Sequence, residues 1–357
     1  MRGVGSAWAR SQRRRLVAVV LVTAVVVPVF NVVTVTDRTT LAAAIQGLLD
    51  AVLISTLVGG YLLLVRDGVL RARFRQLGFG ATLVINSSIV LALFLVGRAV
   101  GQVITTLQPR RLLTSFGDAH LVYALPFFVV LALTIQFLLQ MNRMIGANVL
   151  RYFVTGVYHQ PRREERIFLF LDLEGSTQLA ERLGSATYFQ LLRRFVDDLT
   201  EPILDAEGEI YQYAGDEVVI TWPHDRGVRA ANCVRCFFAI RDAIDGRAAR
   251  YQRDFGVVPR FHAGLHGGTV TGGELGDLRQ QIVFVGDILN TAARLEEYAK
   301  RTGRDLVVSG ALLERLQLPA GVQLARCGDL ELRGKEAPVT AYGLSGAPRL
   351  GGWANPA

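Results

Sequence analysis

Lysine is nearly missing from this chain. Only Lys300 and Lys335 occur, and arginine supplies the rest of the 39 basic residues. The formal net charge of +8 therefore rests on arginine clusters that lie beside apolar runs. That placement favours a membrane surface and argues against a nucleic-acid partner. Cysteine is scarce too, and three residues, Cys233, Cys236 and Cys327, cannot build a disulfide framework. Cys233 and Cys236 form a CxxC, but inside the helical pattern "VRAANCVRCFFAIRDAI" and without a second ligand pair. They read as buried or half-buried helix residues rather than a zinc or redox site. Long apolar runs are absent beyond residue 140, although hydrophobic residues make up 51% of the whole and mean hydropathy is +0.31.

Those runs crowd the first 140 residues. Four are long and apolar enough to span a bilayer, for which a helix needs about 20 residues: roughly Leu16–Val35, Leu41–Val65, Phe79–Val96 and Leu121–Leu139. "RSQRRR" before the first could open a secretory signal, but no small-residue cleavage site follows and three more runs do, so an anchor is expected. Arginines at 10 and 13–15, within 66–75, and at 143 and 151 place those three segments, and both termini, on the cytoplasmic side. The loop Gly97–Asp118 contains an apolar stretch, Ala99–Leu107, open to reading as a re-entrant segment or an extra span. Asp50 lies inside the second run, either as a functional group or hydrogen-bonded to a neighbouring helix. The expectation for residues 1–140 is an all-α membrane bundle of about four transmembrane helices, multi-pass in the inner or plasma membrane and in contact with lipid. It leaves room for a membrane or extracytoplasmic signal that these residues do not specify.

Residues 141–165 read as a connecting helix, with Ile145, Val149, Phe153 and Val157 at helical spacing and Pro161 as its stop. From Arg166 the pattern turns to alternating strands and helices, to about residue 345, with 346–357 as a tail. "RIFLFLDL" reads as a buried strand, and the helical pattern after it breaks near Gly184. "GEIYQYAGDEVVITWP" reads as a hairpin around Ala214–Gly215–Asp216. "RGVRAANCVRCFFAIRDAIDGRAARYQRDFG" reads as one long amphipathic helix, "RFHAGLHGGTVTGGELG" as a strand and a Gly-rich turn, and "DILNTAARLEEYAKRTG" as a further helix. The order βαββαβ predicts an α+β, ferredoxin-like sheet, and the arginine placement puts this domain on the cytoplasmic side.

Two acids stand out in that frame. Asp172 ends the buried strand, and Asp216 sits at the hairpin tip 44 residues on. In a βαββ unit the first and third elements are expected to be neighbouring strands, so the end of the first can lie beside the hairpin tip and the two carboxylates can face each other. Without a cation they would repel; a pair of Mg²⁺ or Mn²⁺ ions would relieve that and retain positions for phosphate. The plainer alternative is a helix-capping Asp and a turn Asp. Gly175, Ser176 and Thr177 open a helix, where free N–H groups favour phosphate. Asn290 and Arg294 share a helix face at i, i+4 spacing, suited to orienting a ribose and stabilising charge, or merely to an exposed helix surface.

In this order "FLDLEGST", "YQYAGDEVV", "FHAGLHGGTVTGGELG", "VGDILNTAARLE" and "LRGKEAP" resemble the class III adenylate/guanylate cyclase catalytic domain over roughly residues 163–345. The resemblance implies that Asp172 and Asp216 bind two metal ions, with the backbone carbonyl of Leu173 on one of them. It implies that Gly175–Thr177 cradle phosphate, that Asn290 and Arg294 orient the ribose and stabilise the transition state, and that Lys335 meets the terminal phosphates. It also implies a head-to-tail homodimer with two composite sites, in which the ribose 3′-oxygen attacks the α-phosphate and pyrophosphate leaves. The pattern departs at the base. Gln212 and Val283 stand at the two base-reading positions, where the family's ATP pair and GTP pair are both absent. His262 stands near a position that is often arginine. ATP is the expected substrate, as the commoner one among bacterial members. The competing readings are a catalytically silent nucleotide-binding pseudocyclase, a guanylate cyclase, a diguanylate cyclase faintly echoed by "AGDEV", and a transporter with a regulatory domain.

Overall fold

The computed structural model describes residues 25, 29, 40–61, 77–106, 119–145, 147–318, 321–331 and 338–346. The chain divides into two compact units, one extending to Ala147 and the other beginning at Asn148.

The first unit is helical: α1 (Thr40–Gly60), α2 (Phe79–Thr106) and α3 (Ala119–Ile145). Small residues let α1 and α2 pack closely, as a Cβ added at Gly97 would lie 2.9 Å from Ile54 and one at Gly101 2.1 Å from the Asp50 carboxylate. Asp50 is buried in that contact. Nearby in sequence to these contacts, the Tyr61 hydroxyl donates to the Asn86 side-chain oxygen at 2.6 Å.

The expectation of four spans needs correction. Among the described residues one helical segment, Phe79–Gly101, is long and apolar enough to cross a membrane, with 23 residues and a mean hydropathy of 2.2. The apolar segments of α1 and α3, Leu48–Val58 and Val129–Leu138, are shorter. At 1.5 Å per residue they cover about half of a ~30 Å hydrocarbon layer. The first expected span, Leu16–Val35, lies outside the described residues except for Val25 and Val29. The loop expected from Gly97 is also shorter, because α2 runs unbroken to Thr106 and takes most of the apolar stretch with it.

The second unit opens with α4 (Ala147–Thr155). It stops before Pro161 because Gly156 turns the chain at a φ of 64°, a left-handed conformation that glycine adopts without a Cβ clash. There follow β1 (Arg162–Leu173), α5 (Ser176–Leu183), α6 (Ser185–Asp205), β2 (Glu209–Ala214) and β3 (Glu217–Pro223). Next come α7 (Asn232–Asp245), α8 (Ala248–Phe255), β4 (Phe261–Leu275), β5 (Gln281–Val285), α9 (Asp287–Thr302), β6 (Leu306–Ser309), β7 (Val322–Leu330) and β8 (Val339–Gly346).

The sheet order is β2-β3-β1-β4-β6-β8-β7, with β5 paired to β4. Its first four strands have the ferredoxin-like arrangement expected for βαββαβ. β1 lies between two antiparallel partners, β3 and β4, and is covered on both faces, which is why its sequence is nearly continuous in apolar residues rather than alternating. Ile167, Leu169, Leu171 and Leu173 pack with residues of α6 and α7, while Phe168 and Phe170 pack with Phe284 of β5 and with Ile288 and Ala292 of α9.

Two further expectations are revised. The long helix after residue 226 is broken before Asn232, where Ala230 and Ala231 adopt positive φ, and again between α7 and α8 near Gly246. The Gly-rich "GLHGGTVTGGEL" is continuous strand rather than turn. Its glycines serve packing: a Cβ at Gly264 would lie 2.2 Å from the backbone N of Glu296, so α9 rests directly on β4.

At the start of β1, Arg166 is 1% exposed. Its guanidinium donates to Glu164 at 3.0 Å, Glu209 at 3.1 Å, the Thr221 hydroxyl at 3.1 Å and the Tyr158 hydroxyl at 3.3 Å, and lies 4.5 Å from the Phe284 ring centroid. Tyr152 of α4 also donates to Glu209, at 3.2 Å. Cys233 and Cys236 are buried thiols, as their helical context predicted; burial pushes the Cys233 pKa up to about 12.

Candidate active site

Side-chain alternation along β1 puts Asp172 on the face of Phe168 and Phe170, at the end of the strand. In register it stands opposite His262 of β4. His262 is anchored elsewhere, with Nδ1 2.8 Å from the Arg304 carbonyl oxygen. Asp216 follows Gly215 in the turn between β2 and β3; Gly215 takes a φ of 68° there. The strand beside β1 is β3, the fourth element of the βαββ unit, and not the third, β2, because the hairpin folds β2 onto the outer edge of β3; the turn still lies at the end of β1 that carries Asp172.

The carboxylates are electrostatically close. Burial, then the charges of Asp172 and Asp216, raise the pKa of Glu217, while Lys300 opposes them. Tyr188 of α6 is raised by burial and by Asp216 and Asp172, against a hydrogen bond with Ser176. Glu296, 5% exposed, is pushed up to about 7 by burial first and then by Asp172, with Lys300 opposing. Oxygens Oδ2 of Asp216 and Oε1 of Glu296 are buried without a hydrogen-bond partner. The cation at this cluster is Lys300 of α9, whose ammonium pairs with Asp172. That hydrogen bond raises the Lys300 pKa, against burial.

This donor set fits a hard divalent cation. One carboxylate already holds a positive charge and another presents a buried oxygen with nothing bonded to it. Among the described residues no three acid, histidine or cysteine side chains form a ready cage. That is the pattern expected where one or two carboxylates share an ion with substrate phosphates. Leu173, the last residue of β1, is buried. Gly175 sits at a φ of 65° immediately before Ser176 and Thr177, and no side chain caps this helix start, leaving its first N–H groups for an anion.

The remaining expected residues fall into separate places. Gln212 is exposed on β2 and Val283 half-buried on β5. Their neighbours join them: the Phe284 backbone N–H donates to the Tyr211 hydroxyl at 3.2 Å, and the two rings lie 5.4 Å apart. Asn290 is exposed on α9, and Arg294 is held by Glu297 at 2.8 and 2.6 Å. These two residues are not brought to the acids. At about 100° per residue, the stripe of Asn290 and Arg294 lies on a different side of α9 from that of Glu296 and Lys300. Lys335 lies outside the described residues.

Glu217, Glu296, Lys300 and Tyr188 are the site neighbours that sequence reading missed. Glu296 and Lys300 carried a signal, being spaced i, i+4 on one helix, and Lys300 is one of the two lysines.

Residues 157–346 match the family of adenylate and guanylate cyclase catalytic domains. Adenylate cyclase 2 of Rhizobium meliloti is 40% identical over 211 residues, 59% of this chain and 58% of that protein. Adenylate cyclase 1 of the same organism is 28% identical over 192 residues, 52% of this chain and 28% of that protein. The chain thus spans little more than half of the first relative and about a quarter of the second. The structure of a bacterial light-regulated adenylyl cyclase shares the fold, with a TM-score of 0.55 at 19% identity, covering 66% of this chain and 67% of that one. With a family match across more than half of its length, on a sheet of the same kind, the chain belongs to the adenylate and guanylate cyclase catalytic-domain family.

Proposed function

We propose that this chain is a membrane-attached adenylate cyclase that converts ATP to 3′,5′-cyclic AMP and pyrophosphate within a homodimer, for intracellular signalling. The observation that carries the reading is the convergence of Asp172 and Asp216 beside an uncapped helix start, with one Asp216 oxygen buried and unbonded. The relatives named as adenylate cyclases favour ATP over GTP. The apolar segment Phe79–Gly101 supports membrane attachment.

Each residue has a role suited to its chemistry. Asp172, Asp216 and the Leu173 carbonyl would hold two Mg²⁺ or Mn²⁺ ions, which when bound acidify the ribose 3′-hydroxyl and screen the triphosphate. The N–H groups of Gly175–Thr177 bind phosphate oxygens. Asn290 orients the ribose, Arg294 leaves Glu297 to stabilise charge developing at the α-phosphate, and Lys335 meets the terminal phosphates. Gln212 offers the base both a donor and an acceptor, and Val283 only a packing surface.

The geometry of α9 supports the dimer. A chain whose Lys300 and Glu296 face its own Asp172 turns Asn290 and Arg294 elsewhere, so a second copy would bring them to the acids. Tyr213, Leu275, Leu278 and Val285 are exposed apolar residues on β2 and the β4–β5 hairpin, available to such a partner.

The test is product formation by the full-length protein with Mn²⁺ and either ATP or GTP. Cyclic AMP from the wild type and none from Asp172→Ala is expected. Product from GTP alone would overturn the substrate assignment. Equal inactivity of both proteins in a demonstrated dimer would favour the silent nucleotide binder.

A further inference from the structure

Lys300 stands out by composition and by position. In a chain that otherwise uses arginine, one of only two lysines pairs with Asp172. Asp172, Asp216, Glu217 and Glu296 influence one another electrostatically, and Lys300 is the cation common to that set. Its position follows from the fold, because Gly264 lets the α9 backbone rest on β4 and so brings Glu296 and Lys300 to the end of β1.

We infer that Lys300 is a positioning residue that holds Asp172 in the metal-free site and competes with the divalent cation for it, setting the concentration at which the site loads. This rests on the reading of Asp172 as a metal ligand. An ammonium is a single charge on a flexible stem, half exposed here, so it screens the acids yet yields to an ion of higher charge. A guanidinium would bind the carboxylate through two parallel hydrogen bonds and yield less readily. The choice of lysine at this one position therefore has a physical reason.

The two substitutions predict opposite shifts. Mn²⁺ binding to the full-length protein without nucleotide, followed by titration calorimetry or by the free-ion EPR signal, should tighten roughly threefold to tenfold in Lys300→Gln. It should weaken severalfold in Lys300→Arg. In metal-free buffer Lys300→Gln should melt below the wild type, and saturating Mn²⁺ should close that gap. An affinity of Lys300→Gln within about twofold of wild type would overturn the inference and leave the metal-ligand reading standing. If Lys300→Gln does not fold, Lys300→Arg decides: unchanged or tighter binding overturns the inference. Absence of Mn²⁺ binding in every form overturns it too, and removes the metal-ligand reading of Asp172 with it.

Discussion

Arg166 and Asp172 lie six residues apart on β1 and on the same face of the sheet, yet the charge around them is arranged differently. Arg166 is fully buried, but its guanidinium meets two carboxylates, two hydroxyls and an aromatic face. Around Asp172 several carboxylates share one half-exposed lysine, and two buried oxygens have no partner. A buried charge without partners costs several kcal/mol. The first cluster is what a structural charge needs, whereas the second retains unsatisfied acid that an added cation or a bound proton would balance. Imbalance of charge, not burial, marks the candidate site.

Removing unbalanced acid should separate activity from stability. Asp216→Asn is expected to lower the cyclase rate by about a hundredfold to a thousandfold, in the range of losing a principal electrostatic group, while the metal-free melting temperature holds or rises. A fall in both would erase the distinction between the clusters. Arg166→Met should destabilise: it removes the buried cation between Glu164 and Glu209 and leaves them mainly the Tyr158 and Tyr152 hydroxyls, and denaturant titration should show a loss of about 3–5 kcal/mol. A change below about 1 kcal/mol would mean that this cluster, too, is dispensable for folding.

Gly264→Ala tests how α9 reaches the site. Its Cβ would meet the helix backbone at 2.2–2.3 Å, so a loss of about 1–3 kcal/mol is expected from overpacking, with reduced cyclase activity because Lys300 and Glu296 shift with the helix. The smallest effect is a pH dependence. Glu296 is held near 7 in the fold against an ordinary 4.5, so between these values the folded state binds the extra proton. Its stabilising contribution is fully present below about pH 4.5 and is lost as pH rises through about 7. Metal-free wild type should lose a few degrees of melting temperature across that window relative to Glu296→Gln. An equal slope in both proteins would place the titrating group elsewhere.

Much of the core was legible because β1 carries a continuous apolar run and α9 a clean helical period. The hairpin tip at Gly215–Asp216 was legible from turn chemistry, and Gly184 as a break from its place between two helical patterns. The failures share a physical origin. Glycines at 264, 267, 268, 272 and 273 suggest a turn by composition, yet they lie in a strand because another element or side chain packs against several of them. The long helix after residue 226 breaks where alanines take positive φ, for which composition offers no warning. In the first unit, counting apolar residues identified helices, but only one described segment has the length to span a bilayer.

Residue types alone picked out the candidates for chemistry: the two acids, the Gly-Ser-Thr helix start, and an Asn and Arg one turn apart. Residue types and short spacings suffice for that, because the donors and charges belong to the side chains and to the local backbone. Which side chains surround them depends on the packing of distant elements. Lys300 is 128 residues from Asp172 in sequence, and the contact exists because Gly264 admits the helix to the sheet. The same packing turns Asn290 and Arg294 away from those acids. No local pattern encodes either result, since each depends on which face of α9 the sheet buries.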